Sequence, residues 1–317
     1  MKQFWFVLIL GAVMLAPALS QKHASDPFAG RWDLTITAGN TSYPSWMELV
    51  DEGTTPAVRI VGRTGSARSV QDVSHFFTPH SSQLSFTTTE SFGGKPIKVT
   101  WAMTVQDDKL TGKQHRADGI DYELAGVRSP ALKRPVPAAW TKPESLFDGK
   151  DLNGWQPDNP SSNHWVAKNG ELVNEQKGAN IRSTRQLEDF KLHIEYNCPQ
   201  DGNSGVYLRG RYEVQVEYEA ADKNDRYHGM GSIYGFLPPS LELPPRPGQW
   251  ESYDITLVGR MVTVIRDGVT TIDNQEIPGI TGGAIDSHEA EPGPLYIQGD
   301  HTGGMKYRNI TISVPRK

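Results

Sequence analysis

Short runs in which apolar and polar residues alternate recur from Trp32 to Ile312, each cut off by glycine, proline or asparagine before reaching the length of a helix. That pattern points to a β fold. In Asp189–Tyr196, Phe190, Leu192, Ile194 and Tyr196 share one parity and Lys191, His193 and Glu195 the other, which on a strand makes one core face and one polar face. The segment from Tyr253 to Ile272 repeats the alternation around Asp267-Gly268, a strong hairpin signal. The 31 glycines and 22 prolines supply the turns that many short strands need. The fold class expected is all-β, with helices scarce.

The N-terminus carries Lys2, an apolar run from Phe4 to Leu15, and small residues at Ala18 and Ser20. Residues 1–20 therefore read as a signal peptide, its apolar part too short to span a bilayer. The expected location is secreted or periplasmic, with no membrane span after cleavage. No cysteine follows the run to accept a lipid, and the single Cys198 permits no internal disulfide, so stability rests on burial. Lys plus Arg is 32 against Asp plus Glu at 37, a formal charge of -5. No basic run is interleaved with aromatics, which argues against nucleic acid as a partner.

Residues 129–143, with Pro130, Pro135, Pro137 and Pro143, show no alternation and read as a Pro-rich linker. Upstream, residues 27–128 contain seven strand-like runs, the content of a small β-barrel or sandwich. Gly30-Arg31-Trp32 before an alternating strand resembles the opening of lipocalin-like barrels, where the tryptophan closes one end. His75, His80 and His115 lack metal-ligand spacing. Few contacts are expected to cross a Pro-rich linker, so a chain starting near Pro143 is expected to fold alone.

The most informative stretch runs from Gly202 to Glu219. Its alternation puts Arg209, Glu213, Gln215 and Glu217 on one polar face while Val214, Val216 and Tyr218 face a core. A Gly-Asn-Ser-Gly turn containing Asn203 precedes it. The same pattern fits an ordinary solvated sheet face, so the segment alone does not decide between surface and site.

From Ser145 onward, SLFDGKDLNGW, HWVAKNGELV, DFKLHIEY, GNSGVYLRG with YEVQ, GSIYG, GQWESYDI and PLYIQGDHTGGMKYRNITI follow in order. Together they resemble the 3-keto-disaccharide hydrolase domain family, over residues 144–317. The resemblance implies a concanavalin-like jelly-roll sandwich with a carbohydrate site on its concave face. Sugar sites need aromatic faces and planar polar groups: Tyr207, Tyr234 and Tyr296 supply the first, Arg209, Glu195, Glu213, Gln215 and Gln298 the second. Asn203 and Glu217 complete the expected substrate contacts, and Trp165 and Trp250 are assigned to packing.

The chemistry the resemblance implies starts from a ketone at C3, which acidifies the C2 proton. A base removes that proton, the C1 substituent leaves by elimination, and water adds back. Glu213 and His301 are the candidates for base and proton shuttle, with Arg209 as clamp for the oxyanion or a hydroxyl. Glucanases of this architecture carry a Glu-x-Asp-x-x-Glu type strand, which YEVQVEYE does not match because Gln215 stands between Glu213 and Glu217; this lowers the case for a carboxylate-pair glycosidase. Asp300 beside His301, with Glu195 and Glu213, could serve a divalent metal ion, although no spacing motif fixes one. Three function classes follow: an exported enzyme acting on 3-keto glycosides, a non-catalytic carbohydrate-binding protein on the same sandwich, and an assembly module.

Overall fold

The computed structural model describes residues 26–51, 56–70, 72–78, 80–92, 94–218 and 225–316. The proposed signal peptide lies outside them. Among the described residues, nine antiparallel strands between Gly30 and Arg128 form one meander sheet. Its first strand, Gly30–Ala38, pairs with Thr41–Asp51 on one side and with the last strand, Asp121–Arg128, on the other. That pairing wraps the ladder into a barrel, open between the edge strands Arg68–Ser69 and Ser74–Thr78. Trp32, Leu34 and Ile36 point inward and meet Met47, Leu49, Ile60 and Trp101. The Trp32 indole donates to the Phe28 carbonyl at 2.9 Å, and the Arg128 guanidinium stacks 3.9 Å from its ring. His75 and His115 are taken up by Asp26 and Asp121 at 2.8 and 2.5 Å.

The C-terminal half is a jelly-roll-like sandwich of two antiparallel sheets. The larger sheet runs in the order Trp165–Lys168, Glu171–Asn174, Met305–Ser313, Phe190–Asn197, Trp250–Val258, Met261–Arg266, Val269–Glu276, with Glu144–Ser145 also on Met305–Ser313. The smaller runs Trp155–Pro157, Ile181–Leu187, Gly293–Ile297, Asn203–Leu208, Tyr212–Glu217. Phe190, Leu192, Ile194 and Tyr196 of the first face Val206, Val214, Val216, Leu295 and Ile297 of the second in one apolar core. Asp267 and Gly268, at φ 47° and 77°, make the two-residue turn their identities favour.

Contacts between barrel and sandwich are extensive, against the expectation from the linker. Trp46 and Val61, whose parity points them out of the barrel, are fully buried members of the sandwich core. The Trp46 ring meets Phe236 edge-on at 5.2 Å. Gly279 leaves room for the indole, because a Cβ there would lie 2.1 Å from its nitrogen. Arg31 pairs with Glu276 at 2.7 Å. Asp33 is held well above the ordinary carboxylate range, first by burial and then by the facing Glu289. Residues 129–143 are themselves docked: Thr141 donates to the Val314 carbonyl at 2.8 Å, and Arg134 pairs with Asp189 at 3.0 Å. Proline content reports on the backbone of a connection, and says nothing of the two faces it allows to meet.

Candidate functional site

The site is built on the face of the smaller sheet that turns away from the core. Register places Asn203 opposite Glu217, Gly205 opposite Gln215, and Tyr207 opposite Glu213. Alternation sends Val206, Val214 and Val216 inward, so these three pairs form a polar floor. Beyond the end of Gly293–Ile297, Gln298, Asp300 and His301 join them, and Tyr234 and His228 close another side. The result is a cleft of about 290 Å³. The barrel contributes Thr64 and Gly65 to its wall, and the loop through Gly282 and Gly283 completes it. Barrel and loop approach closely there: a Cβ on Gly282 would lie 1.8 Å from the Gly65 carbonyl oxygen.

Glu213 is the centre of the cleft and is only 3 % exposed. Burial, reinforced by the charges of Asp300 and Glu217, pushes its carboxyl up to about 8, despite a hydrogen bond from Tyr207 that opposes the shift. The Tyr207 hydroxyl also lies 2.9 Å from the Gly282 carbonyl. Its one proton serves the carbonyl when Glu213 is neutral and the carboxylate when Glu213 is ionised, so each charge state of Glu213 has a partner. Tyr234 is pushed up to about 12, by burial and then by the charge of Glu213, and remains a neutral donor. Burial alone would raise Asp300, but hydrogen bonding and charge from His301 outweigh it and hold that carboxyl below its ordinary value. The His301 Nδ1 lies 2.8 Å from Asp300. His228 is held by Asp225 at 2.5 Å, with its ring edge-on to Tyr234 at 4.8 Å.

Two buried acceptors in the cleft, Gln215 Oε1 and Gln298 Oε1, have no hydrogen-bond partner among the described residues. An unmet buried acceptor costs on the order of 1–3 kcal/mol, so both favour a ligand that brings hydroxyl donors. The Gln215 amide nitrogen is fixed by Glu217 at 2.5 Å, which leaves its oxygen directed elsewhere.

Gly205 explains how a carboxyl can lie flat on the floor. A Cβ at this position would sit 2.0 Å from Glu213 Oε1, so only glycine permits the observed placement. Gly205→Ala is expected to push the carboxyl toward water, to bring its pKa back toward the ordinary value, and to leave the fold intact. A thermal melt together with carboxyl titration by NMR checks this; an unshifted Glu213 would contradict it.

Of the residues expected from sequence, Glu213, His301, Asn203, Tyr207, Gln215, Glu217, Tyr234 and Gln298 are brought together in this cleft. Two are not. Glu195 lies on the larger sheet, on the outward side of Phe190–Asn197, where it accepts from Arg308 and Asn309 at 2.6 Å each. The hydrophobic core separates it from Glu213. Parity identifies the polar face of a strand, but it does not say which of two sheets the strand joins. Arg209 is also misplaced: it is fully buried, donating to the Tyr212 hydroxyl at 2.9 Å and the Gly259 carbonyl at 3.0 Å. Its φ of 54° lies in the turn after Leu208, where strand alternation no longer applies. Its guanidinium does not reach the cleft, so the clamp role expected of it has no support from this position.

His228, Thr64, Gly65, Gly282 and Gly283 enter the site without having been assigned to it, and Asp300, considered only as a metal ligand, enters it as the partner of His301. The glycines carried a usable signal, since glycine outside a strand often marks close backbone approach. Thr64 carried none. Among the described residues, no group of three or more His, Cys, Asp or Glu side chains is gathered as a metal site. No described helix is long and apolar enough to cross a membrane.

Solved structures to which part of the chain is similar include a candidate glycosyl hydrolase from Parabacteroides distasonis, 29 % identical, with 57 % of this chain and 92 % of that chain covered at a TM-score of 0.46. Carbohydrate binding module CBM66 from Bacillus subtilis is 14 % identical, with 53 % and 99 % covered at 0.36. A GH16-family endo-beta-1,3(4)-glucanase is 10 % identical, with 58 % and 94 % covered at 0.35. No curated protein matches the chain. Residues 142–313, more than half of the sequence, match the 3-keto-alpha-glucoside-1,2-lyase-like domain. With its polar cleft on a jelly-roll sheet, the protein is a carbohydrate-active member of that family.

Proposed function

We propose that the protein is an exported enzyme that cleaves 3-keto glycosides by removing the proton at C2. The observation that carries this reading is Glu213: a buried carboxyl with a pKa of about 8, on a floor whose glutamine oxygens await hydroxyl donors. A base tuned close to working pH suits abstraction from a carbon next to a ketone, because it combines a useful ionised fraction with proton-accepting strength. The C2–H bond breaks, its proton passes to Glu213, and its electron pair forms an enediolate with charge on the C3 oxygen. That charge then returns as C1=C2 forms, the C3 ketone is restored and the C1–O bond breaks.

His301, oriented by Asp300, supplies the proton taken by the departing oxygen. The donors available to the C3 oxygen are the Tyr234 hydroxyl and the His228 and His301 rings. Water then gives its hydroxyl to C1 and its proton to His301, C2 recovers a proton from Glu213, and hydrolysis is complete; release before that step makes the reaction a lyase. The apolar segment Phe4–Leu15 is the support for export.

The pH profile tests the role of Glu213. If it acts ionised, kcat/KM on a 3-keto glycoside should rise about tenfold per pH unit and level off above about pH 8. Asp300→Asn removes a charge that raises Glu213, so the rising limb should move to lower pH. A limb that falls across this range would mean Glu213 works as the acid. Saturable sugar binding with no turnover at any pH would identify a lectin-like protein instead.

A further inference from the structure

The open face of the smaller sheet continues past the cleft. Cross-strand register aligns Glu213, Tyr207, Tyr296, Arg182 and Gln156 in one row over five strands. Tyr207 and Tyr296 meet edge-on at 5.3 Å. The Tyr296 hydroxyl is anchored by Asn180 at 2.6 Å and Asp158 at 3.1 Å. Beyond Tyr296 lies a second cavity of about 400 Å³, with Gln156, Arg182, Thr184 and Gln186 on its sheet side. The loop that walls the cleft at Gly282 and Gly283 continues to wall this cavity at Ile285 and Asp286. Arg182 stands two strands from Tyr207, roughly 10 Å at ~4.8 Å per spacing. Both cavities can therefore be reached by the two halves of one glycoside.

Two charges of the second cavity have no partner within hydrogen-bond distance among the described residues, the Glu291 carboxylate and the Arg182 guanidinium. Arg211 is buried and satisfied by Asp286 at 2.6 Å and by the Glu291 carbonyl at 2.8 Å. The Glu291 carboxylate, on the exposed rim, lies 4.0 Å from His288. Arg182 is exposed and its side chain makes no hydrogen bond or ion pair with any described residue. A guanidinium presents a rigid planar fork of donors that fits a carboxylate in two parallel hydrogen bonds.

We propose that this cavity is a subsite for the leaving half of the substrate, and that Arg182 receives a carboxylate there, so that glycosides of uronic acids are preferred. The proposal rests on the reading of Glu213 as the catalytic base, which fixes the cleft as the site of the reacting ring. It assigns Arg182 a role in specificity, apart from the chemistry.

The test compares two 3-keto glucosides that differ only in the leaving sugar, glucose or glucuronic acid. Binding is measured by calorimetry and turnover by release of that sugar. The acidic ligand should bind the unmodified protein at least about tenfold more tightly than the neutral one. The preference should weaken with added salt and vanish in Arg182→Gln. Arg182 is exposed and makes no contacts of this kind, so its replacement should leave the melting temperature unchanged. Equal affinity for both ligands, or a preference that survives Arg182→Gln, overturns the proposal. An intact preference with no turnover of either ligand would instead sink the base assignment and leave the subsite standing.

Discussion

Glu213→Gln is expected to lower turnover of a 3-keto glycoside by on the order of 10²- to 10⁴-fold, the usual worth of a positioned general base, with sugar affinity little changed. The amide preserves the shape that fits over Gly205 but cannot take a proton at neutral pH. The same substitution should stabilise the fold at high pH. The folded-state value of about 8 lies above the ordinary 4.5, so the native protein retains a proton that the unfolded chain has lost. Stability is therefore surrendered as pH climbs through that interval, and the surrender is complete above about 8. An inactive variant that melts above the parent at pH 9 would show both effects of one buried carboxyl. Full activity in Glu213→Gln with none in His301→Ala would move the base to His301 and keep the reaction class.

Removing residues 1–142 is expected to abolish soluble folding of the sandwich. Trp46 and Val61 belong to its core, and their departure would open an apolar surface beside Phe236. Trp46→Ala is the milder form of the same experiment and should cost about 3–5 kcal/mol, as large-to-small changes at buried tryptophans do, in denaturant unfolding of the full chain. Because Thr64 and Gly65 wall the cleft, any truncated protein that stayed soluble should bind sugar more weakly. A soluble, fully active fragment starting near Pro143 would show that the barrel is dispensable.

Alternation made most of this architecture legible. The split of Phe190–Asn197 into core and polar faces, the Asp267-Gly268 hairpin, and the opposite directions of Leu295 and Tyr296 all follow from side chains alternating on a pleated strand. The cleft was legible for the same reason, since Glu213, Gln215 and Glu217 occupy one strand and Asn203 and Tyr207 its partner. Glu195 could not be placed, because its strand pairs with Trp250–Val258 and Met305–Ser313, a long-range choice that local pattern does not encode. Arg209 was misjudged by extending a strand through a reversal at Arg209-Gly210, both at positive φ. Thr64 lies some 150 residues before Glu213 in the chain and reaches the cleft only because two apolar faces meet at Trp46.

The most direct test of C2 proton abstraction is an isotope measurement on a 3-keto glycoside carrying deuterium at C2. The expected result is a primary kinetic isotope effect on kcat/KM, exchange of C2 hydrogen with solvent in recovered substrate, and loss of that exchange in Glu213→Gln. The corresponding glycoside without the ketone should be inert, because nothing acidifies its C2 proton. Equal rates for the two isotopologues, together with comparable cleavage of the unoxidised glycoside, would contradict the mechanism and point to acid-assisted hydrolysis by carboxylates.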